Sequence, residues 1–226
     1  MPEVSKPAQW IVWGGLAAII VGIAIAFVRT ELNSRRSAPP PSPGEKQPSL
    51  PTISTVSEFS FTNQFGETVT RQTFEGRPWV ADIIFTRCPS ICPQMSTQMS
   101  QLQKALGSNS PVKLVSVTTD PDHDTPAVLK EYGELFGAVP GRWHFLTGAK
   151  LQMSQFIRDD LKLIAEEKPA EERTVETDLF NHSALFAIVD SQGRLRRVVH
   201  SNDTNINLIE EIVATLSQLQ APGNKP

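Results

Sequence analysis

Residues 79–95 read WVADIIFTRCPSICPQM, and the interpretation of the whole chain starts from this stretch. It opens with a short apolar run of the kind that forms a buried strand. A turn follows that holds Cys88 and Cys92, the only two cysteines of the chain. Proline suits a first helical turn because the donor it lacks would be unpaired there, so Pro89 and Pro93 predict a helix that starts near Pro93. The stretch therefore predicts a strand, a cysteine-bearing turn and a helix.

The spacing of the two cysteines favours a reactive or metal-binding pair over a structural crosslink. A disulfide between Cys88 and Cys92 closes so short a loop that it would contribute only ~2 kcal/mol of chain entropy. Residues four apart are neighbours on one helical face, so both sulfurs can serve one site. The helix N-terminus and the cationic Arg87 are expected to lower the pKa of both thiols. The alternative is a pair of small buried hydrophobic side chains.

Predicted strands and helices alternate on either side of this stretch, over a domain of residues 54–220. The predicted strands are residues 60–62, 68–70, 79–85, 112–118, 143–146, 184–189 and 195–200, and the predicted helices are residues 94–106, 125–136, 149–161 and 203–219. This order indicates an α/β fold in which helices cover both faces of a mixed sheet. The cysteines then follow the carboxyl end of a central strand, where ligands bind in open α/β sheets.

The N-terminal part of the chain has a different composition. Residues 11–28 read IVWGGLAAIIVGIAIAFV and contain no charged side chain. As a helix they would span ~27 Å, close to the hydrocarbon thickness of a bilayer. We therefore predict a tail at residues 1–9 and a transmembrane anchor at residues 10–28. A cleaved signal peptide is the alternative, although its apolar region is usually shorter.

The charges that flank the apolar segment give little information on its orientation. Lys6 precedes it, and Arg29, Arg35 and Arg36 follow it. By the positive-inside rule this small excess favours a cytoplasmic location for the domain. No arginine-rich presequence precedes the segment, so a bacterial membrane protein is expected rather than an organelle precursor.

A proline-rich linker, residues 29–53, is predicted to hold the domain away from the bilayer, and residues 221–226 form a short tail. The chain carries a net charge of −3 and has a pI near 5.8. Because no basic stripe is present, nucleic acid is excluded as the main partner.

The chain has four histidines that could supply a third ligand beside the cysteines. His123 lies in an acidic turn and is expected to be solvated, whereas His144 lies in a predicted strand and is expected to be structural. His200 ends a strand without an evident partner. His182 precedes a predicted core strand that could bring it near the cysteines. From the residues alone it remains either a ligand or a capped loop histidine.

Four further motifs accompany the cysteine pair in a fixed order along the chain. Together they resemble the Sco/SenC family of membrane-anchored copper proteins. The matching segments are FTxCPxxCP at residues 85–93, DPxxDTP at 120–126, WxxLTG at 143–148, HS at 182–183 and DxxGR at 190–194.

The resemblance implies a thioredoxin-like fold and one copper ion per chain, held as copper(I) or copper(II) by Cys88, Cys92 and His182. It implies a metallochaperone rather than an enzyme, which receives copper from an unidentified donor. The recipient would be the binuclear copper site of cytochrome c oxidase subunit II, which the protein delivers copper to or prepares. It also implies a single-pass protein of the bacterial inner membrane with its domain in the periplasm, and this outweighs the weak charge bias.

One position departs from the family pattern. Asn181 precedes His182 where family members often have Asp, and asparagine cannot supply the charge that would tune the imidazole. Arg87, Asp120 and Asn181 are the expected neighbours of the ligands. Thiolates suit copper(I), and two sulfurs with one nitrogen can also hold copper(II). Zinc could use the same ligands.

Two other functions remain open at this point. The cysteine pair could act as a redox-active thiol–disulfide oxidoreductase on the oxidase subunit or on other extracytoplasmic proteins. Three residues separate Cys88 from Cys92, however, whereas the thioredoxin motif has two. A membrane-bound copper or redox sensor is the third interpretation, for which no output domain is evident.

Overall fold

The computed structural model describes residues 13, 15, 20–27, 29, 50–89, 91–173 and 179–220, with the backbone alone at positions 170, 181 and 182. The chain divides into two compact units, Met1–Gln47 and Pro48–Pro226. In the first unit, residues 20–27 are helical. None of the helices in the described parts is both long and apolar enough to cross a membrane.

Several predicted segments lie outside the described residues. They are the tail at residues 1–9, much of the predicted anchor at 10–28, most of the linker at 29–53, and the tail at 221–226. The second unit is described over most of its length.

Strands and helices alternate along the second unit as the sequence predicts. The strands are β1 (Ser54–Thr55), β2 (Ser60–Asn63), β3 (Thr68–Thr70), β4 (Trp79–Ile84), β5 (Lys113–Thr118), β6 (Trp143–Thr147), β7 (Ala165–Glu167), β8 (Phe180–His182), β9 (Leu185–Val189) and β10 (Arg194–His200). The α-helices are α1 (Ile91–Ala105), α2 (Pro126–Leu135), α3 (Lys150–Gln155) and α4 (Leu208–Gln220). Short helical turns, Arg71–Phe74, Phe156–Asp160 and Ala170–Glu172, complete the described elements.

Within the described residues, eight strands form one sheet in the order β1-β10-β9-β4-β5-β6-β2-β3. Strand β4 pairs in parallel with β5, and β5 in parallel with β6, while the outer strands pair antiparallel. The carboxyl ends of three central strands therefore meet at one edge of the sheet. The loops after them carry Cys88, Asp120 and Gly148.

The sheet is covered on both faces. Val80 and Ile84 of β4 pack on one face with side chains of α1, α2 and α4. Ala81 and Ile83, at the alternate positions, pack on the other face with side chains of α3 and of the hairpin β2–β3. The predicted mixed sheet with helices on both faces is thus confirmed.

Some boundaries differ from the sequence-based expectation. Helix α1 begins at Ile91, two residues before Pro93. Helix α4 begins at Leu208 and not near Asp203, because the Asp203 carboxylate accepts the backbone N–H of Asn205 at 2.9 Å and holds those residues in a turn. The separate two-stranded antiparallel sheet β7–β8 was not predicted, since β7 reads Ala-Glu-Glu and lacks an alternating apolar pattern.

Candidate metal centre

Cys88 and Cys92 lie where the sequence predicts, directly after the carboxyl end of β4. Cys88 is at the end of a turn in which its backbone N–H donates to the carbonyl of Phe85 at 3.1 Å. Cys92 is in the first turn of α1. Neither cysteine is in a disulfide, and both side chains are buried, with 8% and 0% of their surface exposed. Together they form the candidate metal centre.

The two thiols contact each other. Burial raises the pKa of Cys92 well above its ordinary value, and a hydrogen bond with Cys88 raises it further, while a hydrogen bond with the backbone of Phe85 lowers it. The expectation of a lowered pKa is therefore wrong for Cys92, because removal from water outweighs the helix N-terminus. The raised pKa favours the neutral, protonated form of the Cys92 thiol.

Arg87 and Asp120, both predicted as neighbours of the ligands, form an ion pair with one another. The Nη2 atom of Arg87 lies 2.6 Å from Oδ2 of Asp120, and Nε donates to the same oxygen at 3.2 Å. The Arg87 side chain is 40% exposed, whereas that of Asp120 is 11% exposed. Because the guanidinium already has a carboxylate partner, its charge is compensated locally and does little for the thiols.

A second carboxylate, Asp124, contacts the residue before Arg87. Asp124 has none of its surface exposed. It accepts the hydroxyl of Thr86 at 2.5 Å, the backbone N–H of Thr86 at 3.2 Å, and the hydroxyl of Thr118. Sequence reasoning assigned no role to Thr86 or Asp124, although both belong to the quoted motifs. The signal for Asp124 was its place directly before Thr125, the residue whose side chain caps helix α2.

The backbone of His182 lies near the edge of the sheet that carries the cysteine turn. It ends strand β8, where its partner in the register is Ala165, and Asn181 pairs with Glu166. Phe180, the first residue of β8, packs edge-on against Phe85 with ring centroids 5.2 Å apart. Strand β8 therefore lies against the segment that leads into the cysteine turn. The assignment of His182 as a ligand remains a prediction.

The other three histidines differ in their environments. His123 is 38% exposed, with its Nδ1 atom buried 3.3 Å from the Asp124 carboxylate, so it is less solvated than expected. His144 is buried and packs edge-on against Phe74 with ring centroids 5.6 Å apart, which agrees with a structural role. His200 is exposed at the end of β10. Among the described side chains, no group of three or more His, Cys, Asp or Glu is arranged to hold a metal.

Sequence reasoning also missed Asp82, a carboxylate on the face of β4 that carries Val80 and Ile84. Asp82 is fully buried and accepts the hydroxyl of Ser116 at 2.6 Å; Trp143 donates to that hydroxyl at 2.9 Å. Its charge contributes to the raised pKa of Cys92, after burial and the bond with Cys88. The signal was present in the sequence as a single charge inside an apolar strand.

Comparison with known proteins identifies the fold family. The family model described as SCO1/SenC matches residues 47–217, which include the cysteine turn, the DPxxDTP loop and strand β8. The chain belongs to the SCO1/SenC family. The resemblance inferred from the motifs is thus confirmed, and the mixed sheet is the thioredoxin-like fold of Sco proteins.

Individual SCO1/SenC proteins are similar over most of the second unit. The SCO1 protein homolog of Bacillus subtilis is 32% identical over 142 residues, which cover 62% of this chain and 70% of that protein. BsSco, a Sco family cytochrome c oxidase assembly protein with a disulfide switch, superposes with a TM-score of 0.64 at 29% identity, covering 75% of this chain and 96% of that one. Copper-bound ScoI of Bradyrhizobium japonicum gives a TM-score of 0.60 at 26% identity, covering 73% and 99%.

Proposed function

We propose that this chain binds one copper ion through Cys88, Cys92 and His182. It then delivers the ion to, or prepares, the binuclear copper site of cytochrome c oxidase subunit II. The observation that carries the proposal is the buried contact between the two thiols at the carboxyl edge of β4. Two sulfurs in hydrogen-bond contact are close enough to share one ion, and no other cysteine is present in the chain.

The donor set fits copper. Two thiolates suit copper(I), and an added imidazole accommodates copper(II) in a more tetragonal site. Because ligands must be deprotonated, metal binding must displace the proton whose retention burial favours on the Cys92 thiol. The raised pKa of Cys92 favours the return of its proton when the metal is lost.

Relatives support the metal and the partner. ScoI of Bradyrhizobium japonicum has been solved with copper bound, and BsSco is described as a cytochrome c oxidase assembly protein. We extend both properties to this chain. We further propose a single-pass anchor at residues 10–28 that holds the domain in the periplasm, where an unidentified donor loads it.

Metal titration tests the copper site. The unit at residues 48–226 is purified anaerobically in reduced form and titrated separately with copper(I) and copper(II); one ion per chain is expected. Cys88→Ser and Cys92→Ser should each abolish tight binding. His182→Ala should weaken copper(II) more than copper(I), because two thiolates hold copper(I) in near-linear geometry. His123→Ala is the matched control and should leave binding intact. Wild-type copper(II) spectra in His182→Ala would remove His182 from the site.

A second candidate is thiol–disulfide reduction of the oxidase subunit. The contact between the two reduced thiols favours it, since a dithiol of this kind can close to a disulfide. BsSco, which is similar in structure, has a disulfide switch. Cys88 is the better attacking sulfur because Cys92 is fully buried with a raised pKa. The two roles are compatible, since copper enters only a reduced target.

A further inference from the structure

The turn that places Cys88 is held from outside by a second loop. Residues Phe85 to Cys88 form a tight turn closed by the bond from the Cys88 N–H to the Phe85 carbonyl at 3.1 Å. Its two central residues are Thr86 and Arg87, neither of which is glycine or proline. Turn geometry is therefore not set by the intrinsic preferences of these residues.

Each central residue of the turn binds one carboxylate of the loop after β5. Arg87 pairs with Asp120, but this ion pair is half in solvent and exposed pairs contribute little. Thr86 binds Asp124 through both its hydroxyl, at 2.5 Å, and its backbone N–H, at 3.2 Å. Asp124 is fully buried, so this contact is shielded from water and is the stronger of the two.

The two sulfurs differ in how they are positioned. Cys92 is a fully buried residue of helix α1, so its position follows from that of the helix. Cys88 precedes the helix, and its place relative to Cys92 follows from the turn. A metal pair or a disulfide requires the sulfurs to be held to within a few tenths of an ångström, which calls for support behind the ligand.

We propose that Asp124 is a positioning residue that acts through Thr86 to hold Cys88 at the spacing from Cys92 that copper(II) requires. This assignment rests on the proposed copper site. The Asp124 carboxylate also accepts the hydroxyl of Thr118 and lies 3.3 Å from Nδ1 of His123. The carboxylate thus connects the β5–α2 loop to the cysteine turn.

The test uses the full chain and changes the Thr86 hydroxyl alone. Thr86→Val replaces the hydroxyl by a methyl group of similar size and leaves the backbone N–H bond to Asp124 in place, whereas Thr86→Ser keeps the hydroxyl. Ser116→Ala is the control, because it removes a buried hydroxyl–carboxylate bond of the same kind, 2.6 Å to Asp82, away from the turn. Asp124→Asn weakens the same contact from the other side by removing the carboxylate charge, and Thr86→Val keeps the test decisive if Asp124→Asn does not fold.

With copper(II) alone as the probe, Thr86→Val is expected to lower affinity about tenfold and to change the absorption and paramagnetic resonance spectra. Thr86→Ser should restore both, and Ser116→Ala should leave the spectra unchanged. An unchanged spectrum and affinity in Thr86→Val would overturn the assignment. An equal change in Ser116→Ala would also overturn it, because it would show a general effect of stability.

A metal-free measurement separates failure of this assignment from failure of the copper site. The Cys88–Cys92 disulfide is equilibrated with dithiothreitol, which gives two electrons and two protons to the cysteine sulfurs and becomes a cyclic disulfide. In Thr86→Val the equilibrium constant should shift at least threefold towards the reduced dithiol, because a less ordered turn loses more conformational entropy when the disulfide forms. Ser116→Ala should leave the constant unchanged. If the wild type takes up no copper(II), the proposed function fails, but this equilibrium still decides the role of Asp124. Identical equilibrium constants for Thr86→Val and the wild type would overturn the assignment of Asp124 as a positioning residue.

Discussion

Arg196 and Asp190 form a buried ion pair at the end of the sheet opposite the cysteines, with Nη1 of Arg196 2.8 Å from Oδ2 of Asp190. Asp190 follows β9, whose last residue pairs with Trp79 at the start of β4. Arg196 also donates to the backbone carbonyls of Leu50 and Pro51. One guanidinium therefore fixes both the β9–β10 turn and the point where the chain enters the domain.

Arg196→Met should destabilise the domain by about 3 kcal/mol, because it leaves the Asp190 carboxylate buried with fewer partners. Burial alone would raise the pKa of Asp190, but hydrogen bonds, first from Arg196 and then from Arg194, hold it below its ordinary value of 3.8. That stabilisation is complete above pH 3.8 and is lost as the pH falls through the lowered folded pKa. In Arg196→Met, acid unfolding should therefore begin at higher pH.

Urea unfolding as a function of pH checks this prediction. Arg158→Met is the control, since Arg158 pairs with Asp159 on the surface and its removal should have no measurable effect. Equal losses in the two variants would show that the buried ion pair does not stabilise the fold.

His144 should make the domain less stable as the pH falls from 7.5 to 5.5. Burial lowers the pKa of its imidazole below 6.5, and the nearby Lys113 lowers it further, against an opposing effect of Glu67. Below pH 6.5, His144 is protonated in the unfolded chain but stays neutral in the folded chain. The free energy of unfolding therefore decreases by up to about 1.4 kcal/mol per pH unit. His144→Gln should flatten this part of the stability curve measured by urea unfolding. A slope as steep as that of the wild type would exclude His144 as its source.

Lys162→Gly should stabilise the domain by about 0.5–1 kcal/mol, although it removes a side chain. Lys162 has a φ of 56°, in the left-handed region that disfavours side chains with a Cβ atom. This conformation lets the chain leave the turn Phe156–Asp160 while burying both Leu161 and Leu163. Thermal unfolding of Lys162→Gly and Lys162→Ala separates the causes, since alanine keeps the Cβ atom and should bring no gain. A gain in both variants would point to the lysine charge instead.

The sequence predicted the sheet because its apolar runs are short, regular and separated by clear turn residues. Strand β4 is an example, since every one of its residues is buried and its apolar run is interrupted only at Asp82. The cysteine turn was also placed correctly, because the apolar strand before it and the prolines within it mark its limits in the sequence.

Long-range polar contacts could not be predicted in this way. The contact between Thr86 and Asp124 joins residues 38 positions apart, and periodicity carries no information on such pairs. The pKa of the Cys92 thiol was predicted in the wrong direction, because the sequence shows the charged neighbours of a residue but not its burial. The cationic Arg87 stands only five residues before Cys92 in the sequence, yet the environment of Cys92 is set by the core around it.

The proposed topology predicts that a reporter fused to the C-terminus lies outside the cytoplasm. The charges at Arg29, Arg35 and Arg36 favour the opposite side, so the experiment is informative. An alkaline phosphatase fusion should be active, and a green fluorescent fusion exported by the same route should be dark. An inactive phosphatase with a bright fluorescent fusion would reverse the orientation and remove a periplasmic oxidase subunit as the partner.

Complementation of a deletion strain separates copper delivery from thiol reduction. Deletion should lower cytochrome c oxidase activity, and Cys88→Ser should fail to restore it under either role, because it removes a metal ligand and one sulfur of the dithiol. His182→Ala keeps both thiols and disturbs only the proposed metal site. Thiol–disulfide exchange needs an attacking and a resolving sulfur but no imidazole, so a reductase should work with His182→Ala whereas a copper donor should not. We expect His182→Ala to fail at wild-type protein levels, with His123→Ala as the complementing control. Full activity with His182→Ala would make thiol reduction the function of this chain.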